Sequence, residues 1–174
     1  MILVPMLGGE SDGPALEAAG LLAKRSDAHL DAVFVHRDHL AVIGAQMGES
    51  ISRDRIDSLI NTERKEFESS RYAARSRFDA WCSATGFEIK DRPDTAGTPS
   101  AAFSEIIGEP AEIIGKRGRT ADVISITRVG DVKKADYSAI LEASLLHSGR
   151  LVLQVPPQDP TEIGKTVAIA WNGS

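Results

Sequence analysis

Cysteine is nearly absent from this chain: a single residue, Cys82, among 174. One thiol cannot close an internal disulfide, so no oxidised framework holds the fold, and beside Trp81 near a predicted helix end it reads as a buried structural thiol rather than a nucleophile. Aromatic residues are also sparse at 5%. No apolar run approaches the roughly 18 residues that a membrane-spanning helix needs, and no charged leader precedes an apolar stretch, so the expectation is a soluble, cytoplasmic protein with no membrane partner. An excess of basic charge is missing as well. Twenty Lys and Arg stand against 25 Asp and Glu, a net charge of -5, which argues against a sequence-independent grip on nucleic acid. Nor is there a recognisable Ser, His and acid arrangement or a paired-carboxylate site, so the chain is expected not to be an enzyme.

What is present is an alternation of strand and helix signals. With 42% hydrophobic residues over 174 positions the chain can bury one substantial core. Ile2 to Leu7 is continuously apolar, as in a strand covered on both faces of a parallel sheet. Gly8 and Gly9 end it, Ser11 and Asp12 are candidate caps, Pro14 suits a first helical turn, and Ala15, Ala18, Ala19 and Leu22 share a helical face. His29 to His36 reads as a second strand, which makes the opening a βαβ unit. From Ser52 to about Thr85 there is neither proline nor glycine, and apolar residues from Ile56 to Trp81 recur at helical spacing, broken on the inner stripe by Glu63 and Ser70. Phe87 to Ser100 reads as mostly loop, with room for a short strand at its start.

Gly108 and Pro110 divide the next segment into a strand from about Ala102 to Ile107 and a helix from Pro110. Val123 to Thr127 is a fourth strong strand signal, Tyr137 to Leu146 a helix, and Leu151 to Val155 a fifth strand. Such alternation predicts an α/β fold, an open doubly wound parallel sheet with helices on both faces and a ligand crevice beyond the carboxyl ends of the strands.

The phrases ILVPMLGG, IGEPAEIIGKRGRTADVISI and GRLVLQVPP, in this order and spacing, resemble the universal stress protein (UspA-like) family. The resemblance covers Met1 to about Pro157 and implies five strands in the order 3-2-1-4-5, an adenine nucleotide alpha hydrolase-like architecture. It divides the chain into a domain at 1–157, a linker at 158–165 and, in 166–174 (TVAIAWNGS), the first strand of a second repeat, so that the whole resembles the N-terminal half of a tandem member. The family implies a homodimer formed through the last strand, Leu151 to Val155, and a role in stress response.

Some members of that family bind ATP. The aspartate that would contact nucleotide at the end of the first strand is replaced here by Leu7, followed by Gly8; the backbone contact to adenine would fall near Val35. The phosphate loop would be Arg128 to Asp136, with Gly130 as its only glycine and Lys133 and Lys134 as its positive charges. A phosphate cradle needs converging backbone N–H groups in conformations that favour glycine. Leu7, Gly8, Val35, Gly130 and Lys133 therefore outline a degenerate site, and no cofactor is expected. The resemblance then implies a non-catalytic domain that acts in dimerisation or scaffolding. The alternative is an ATP-binding switch or slow ATPase with an atypical phosphate loop, and a third reading is a small-molecule sensor using the crevice near Leu7 and Val35. His36 and His39 are too few for a metal site and read as surface histidines, and Lys116, Arg117 and Arg119 are expected to complement a helix end.

Overall fold

A computed structural model gives the fold and describes residues 1–36, 53–93, 97–128 and 135–170. The elements run β1 (Ile2–Met6), α1 (Asp12–Ser26), β2 (His29–His36), α2 (Arg53–Thr85), β3 (Glu88–Ile89), β4 (Ser100–Ile107), α3 (Pro110–Gly118), β5 (Val123–Thr127), α4 (Ala135–Leu146) and β6 (Leu151–Val155). All strand pairs are parallel, in the order β3-β4-β2-β1-β5-β6. The expected count of five is corrected to six. The five strands read from the sequence keep the expected order, and β3 adds an edge through two pairs only, Glu88 with Ser100 and Ile89 with Ala101. Both of its residues are exposed, so no alternation marks it in the sequence.

Every residue of β1 is buried, as a central strand requires. Its side chains part to two cores. Ile2, Val4 and Met6 pack with Leu16 and Ala19 of α1, Phe78 and Trp81 of α2 and Phe34 of β2. On the opposite face Leu3 packs with Val33, Ile114 of α3, Ile124 and Ile126 of β5, and Tyr137 and Ile140 of α4. Period-two side-chain alternation thus places α1 and α2 on one face and α3 and α4 on the other.

The strand order reverses between β1 and β5. Their register spans only Ile2 with Val123 and Leu3 with Ile124, whereas β1 pairs with β2 from Ile2 to Met6. The short ladder ends two residues before Pro5, which has no N–H to extend it. The carboxyl halves of β1 and β5 therefore separate at the place where open α/β sheets present their ligand crevice.

After β6 the chain turns back along α1. The Asp159 carboxylate lies beside Gly13 in the first turn of α1, and Arg25 in its last turn donates to the Ile163 carbonyl at 2.5 Å. Residues 166–170 carry no regular secondary structure, and Val167 and Ile169 are exposed.

Candidate functional site

The crevice mouth lies at the carboxyl ends of β1, β2, β4 and β5. Leu7, Val35 and Ile106 are partly buried there and pack onto the core that Leu3 and Val33 share with α3 and α4. Aliphatic side chains thus occupy three of these strand ends. The fourth, Thr127 on β5, is buried, and its hydroxyl has no hydrogen-bond partner.

The polar centre of the turn is Asp12. Its side chain does not cap α1; it folds back, accepting the Leu7 N–H at 2.9 Å on one oxygen and the Gly8 N–H at 2.8 Å on the other. Ser11, at the cap position, makes no side-chain capping bond either, which corrects the capping role expected of both. The Gly8-Gly9 hinge lets the carboxylate reach backward. Asp12 is 2% exposed, and burial pushes its carboxyl up from 3.8 to about 6, against the opposing pull of the Leu7 and Gly8 amides and the Arg77 charge.

Gly8 itself is fixed by α2. Its φ is +73°, and a Cβ there would come within 2.2 Å of the Ser70 carbonyl oxygen. This contact explains why the inner stripe of α2 is interrupted at Ser70: the helix backbone meets the turn, and a long side chain has no place in the contact. The amides that an anion would use at the end of β1 are thus already bonded to Asp12, inside a turn jammed against a helix.

The predicted site residues are only partly brought together. Leu7, Gly8 and Val35 lie at adjoining strand ends. Gly130, Lys133 and Lys134, like His39, fall outside the described residues. Among the described residues no three His, Cys, Asp or Glu side chains cluster to hold a metal, and no described helix is long and apolar enough to cross a membrane. Cys82 is buried, and burial raises its thiol to about 11, away from the reactive thiolate. The basic run at the end of α3 does more than complement a helix terminus. Arg117 grips the buried Asp31 of β2 through two bonds of 2.7 and 3.1 Å, Lys116 pairs with Glu112, and Arg119 donates to the His147 carbonyl at 3.2 Å.

Sequence reasoning missed Asp12 as an acceptor for the strand-end amides and Thr127 as an unpartnered hydroxyl. A signal for the first was present: an acid five residues past a strand, behind two glycines, can turn back onto the strand's last amides.

Comparison with known proteins gives a fold and no close relative. No protein-family model matches the chain, and a search of curated proteins finds no match. Among solved structures, the universal stress protein UspA from Lactobacillus plantarum superposes with a TM-score of 0.57 at 15% identity over 88% of this chain and 95% of its own. The hypothetical protein MJ0577 gives a TM-score of 0.55 at 15% identity over 91% of this chain and 96% of its own. A member of the universal stress protein family from Burkholderia pseudomallei gives a TM-score of 0.51 at 20% identity, covering 89% and 94%. The chain has the α/β fold of the universal stress proteins.

Proposed function

We propose that this chain is a non-catalytic stress-response domain of the universal stress protein kind, with a degenerate nucleotide site, serving as a dimerisation scaffold and as the first half of a tandem protein. One observation carries this reading: at the switch point Leu7 stands where a nucleotide-binding member has its aspartate, while the neighbouring amides are engaged by Asp12. An aliphatic group offers a ribose or metal nothing to bond, and an occupied amide cannot also serve a phosphate.

Two features support the assembly part of the reading. Strand β6 pairs with β5 along one side, and Leu151 on it lies exposed, as do Leu145 and Leu146 at the end of α4. A sheet edge flanked by exposed leucines suits a second copy of the same edge. At the other end of the chain's course, Val167 and Ile169 are exposed beyond the linker anchored on α1. A second repeat would bury them as its first strand.

Native mass spectrometry of the purified protein tests the reading. A dimer without a nucleotide adduct is expected. An adduct of nucleotide mass that disappears on denaturation overturns it in favour of an ATP-binding switch built on Gly130 and Lys133, and replacing Lys133 and Lys134 by Ala must then abolish the adduct.

A further inference from the structure

The segment after β6, residues 156–165, is laid along one ridge of α1. The Asp159 carboxylate lies beside Gly13 in the first turn of that helix, the Ile163 carbonyl accepts from Arg25 in its last turn at 2.5 Å, and Gly164 turns with φ +69° against the same guanidinium. Gly13, Glu17, Leu21 and Arg25 recur every four residues and so share that ridge. Glu17 and Leu21, between the two anchors, are half-buried, and so are Pro160 and Ile163 on the covering segment, while the residues flanking these two are exposed. The lengths leave little slack. Gly13 to Arg25 is about 18 Å at about 1.5 Å per helical residue, and Asp159 to Ile163 spans at most about 14 Å when extended, so the reach of the Arg25 side chain must close the difference. Pro156, Pro157 and Pro160 stiffen the segment further.

We propose that residues 156–165 are a taut strap belonging to this domain rather than a free tether, and that the strap fixes the outlet of the chain at the amino end of the sheet, where a second repeat packs against the last turn of α1. The part concerning a second repeat rests on the tandem reading above. A flexible linker of the same length wanders about 17 Å from its root at the end of β6 and selects no surface. The strap instead carries the chain from the carboxyl end of β6 back to the start of β2, and presents the exposed Val167 and Ile169 just past its last anchor. That place lies at the opposite end of the sheet from the strand-end crevice. The β6 edge then stays open to a second copy, and the two partners take two separate surfaces.

Paramagnetic relaxation in the ¹⁵N-labelled protein tests the outlet, with a nitroxide attached at Ile169→Cys; Cys82 is buried and stays unlabelled. Line broadening is expected to concentrate on the amides of residues 23–30 and to spare Gly8 at the far end of the sheet. Broadening spread evenly over the surface, or strongest at Gly8 or along β6, overturns the proposal. Arg25→Ala combined with Pro160→Gly removes one anchor and one stiff residue while leaving both cores intact, and the broadening at residues 23–30 is expected to fall severalfold as the segment is freed. A pattern unchanged by that pair of substitutions also overturns the strap. The measurement needs no second repeat, so its failure leaves the tandem reading standing, and a failure of the tandem reading leaves the strap standing.

Discussion

The two ends of the sheet treat their polar groups differently. Near the amino ends of the strands, side chains distant in sequence meet: His29 Nδ1 lies 2.9 Å from Ser100 Oγ, and Arg117 reaches Asp31 from 86 residues away. These contacts tie strand to strand and helix to sheet. At the carboxyl ends the open positions are taken by Leu7, Val35 and Ile106, and the buried carboxylate of Asp12 bonds amides only four and five residues away. The first arrangement joins segments distant in sequence; the second fills the strand-end crevice with aliphatic side chains and engages its amides locally. On the function proposed above, a nucleotide would be refused by two routes at once, an aliphatic side chain in place of a polar one and local capture of backbone donors.

The contrast breaks hardest at Gly8. Gly8→Ala puts a side chain on a left-handed residue and drives its Cβ into the Ser70 carbonyl, so either the turn or α2 must shift. Left-handed strain of about 1–2 kcal/mol adds to overpacking of about 1–3 kcal/mol. A loss of about 3 kcal/mol, or a Tm about 10 °C lower, is expected by thermal denaturation. A drop of only about 4 °C, which left-handed strain alone accounts for, would mean that the turn is free of α2.

Asp12 comes next. Its folded carboxyl titrates near 6 against 3.8 ordinarily, so the folded state holds this proton more tightly than the unfolded chain does. Stability from this group is therefore full below 3.8 and is lost as pH rises through about 6. A difference of about two units corresponds to about 3 kcal/mol. Urea unfolding of the parent and of Asp12→Asn should show the parent gaining on the variant by that order between about pH 7.5 and about pH 3.5. Parallel profiles would show that Asp12 is not buried in solution.

How much of this could be read beforehand divides by range. The five strong strands were legible because apolar runs end at glycine or proline. The long α2 was legible because nothing between Arg53 and Thr85 breaks a helix. Strand β3 was legible only as room for a short strand after Gly86, since its two exposed residues carry no period. Leu7 was legible as the end of the first strand because the apolar run stops there at Gly8. The approach of Ser70 to Gly8 depends on how distant segments pack, and one-dimensional patterns hold no record of that. Asp12 was closest to being readable, and helix capping, the commoner use of an acid there, concealed it.

A smaller effect is expected at the amino end. Asp31→Ala leaves Arg117 without its partner, yet that side chain is 34% exposed and can turn to water. The full penalty for breaking a buried pair is therefore not reached, and about 1–2 kcal/mol is expected. A double-mutant cycle with Arg117→Ala measures it, and a coupling near zero would remove the pair from the contacts that build the fold.

The smallest effect sharpens the comparison most, because its sign is opposite. Burial lowers the His29 imidazole below 6.5, partly offset by the Asp31 charge. A histidine whose folded pKa is depressed favours the folded state above the unfolded value, and that contribution is lost as pH falls below 6.5. Acidification thus strengthens the carboxyl end through Asp12 and weakens the amino end through His29, over overlapping ranges. In the parent protein the two slopes partly cancel; in Asp12→Asn the histidine's acid-side loss is no longer offset by Asp12. NMR titration of the His29 ring gives the independent check. Its midpoint should lie below 6.5 and fall further in Asp31→Asn, where the charge that favours protonation is gone. A midpoint above 6.5 would mean that the Asp31 charge outweighs burial, and that the amino end is governed by ionic attraction rather than by exclusion of water.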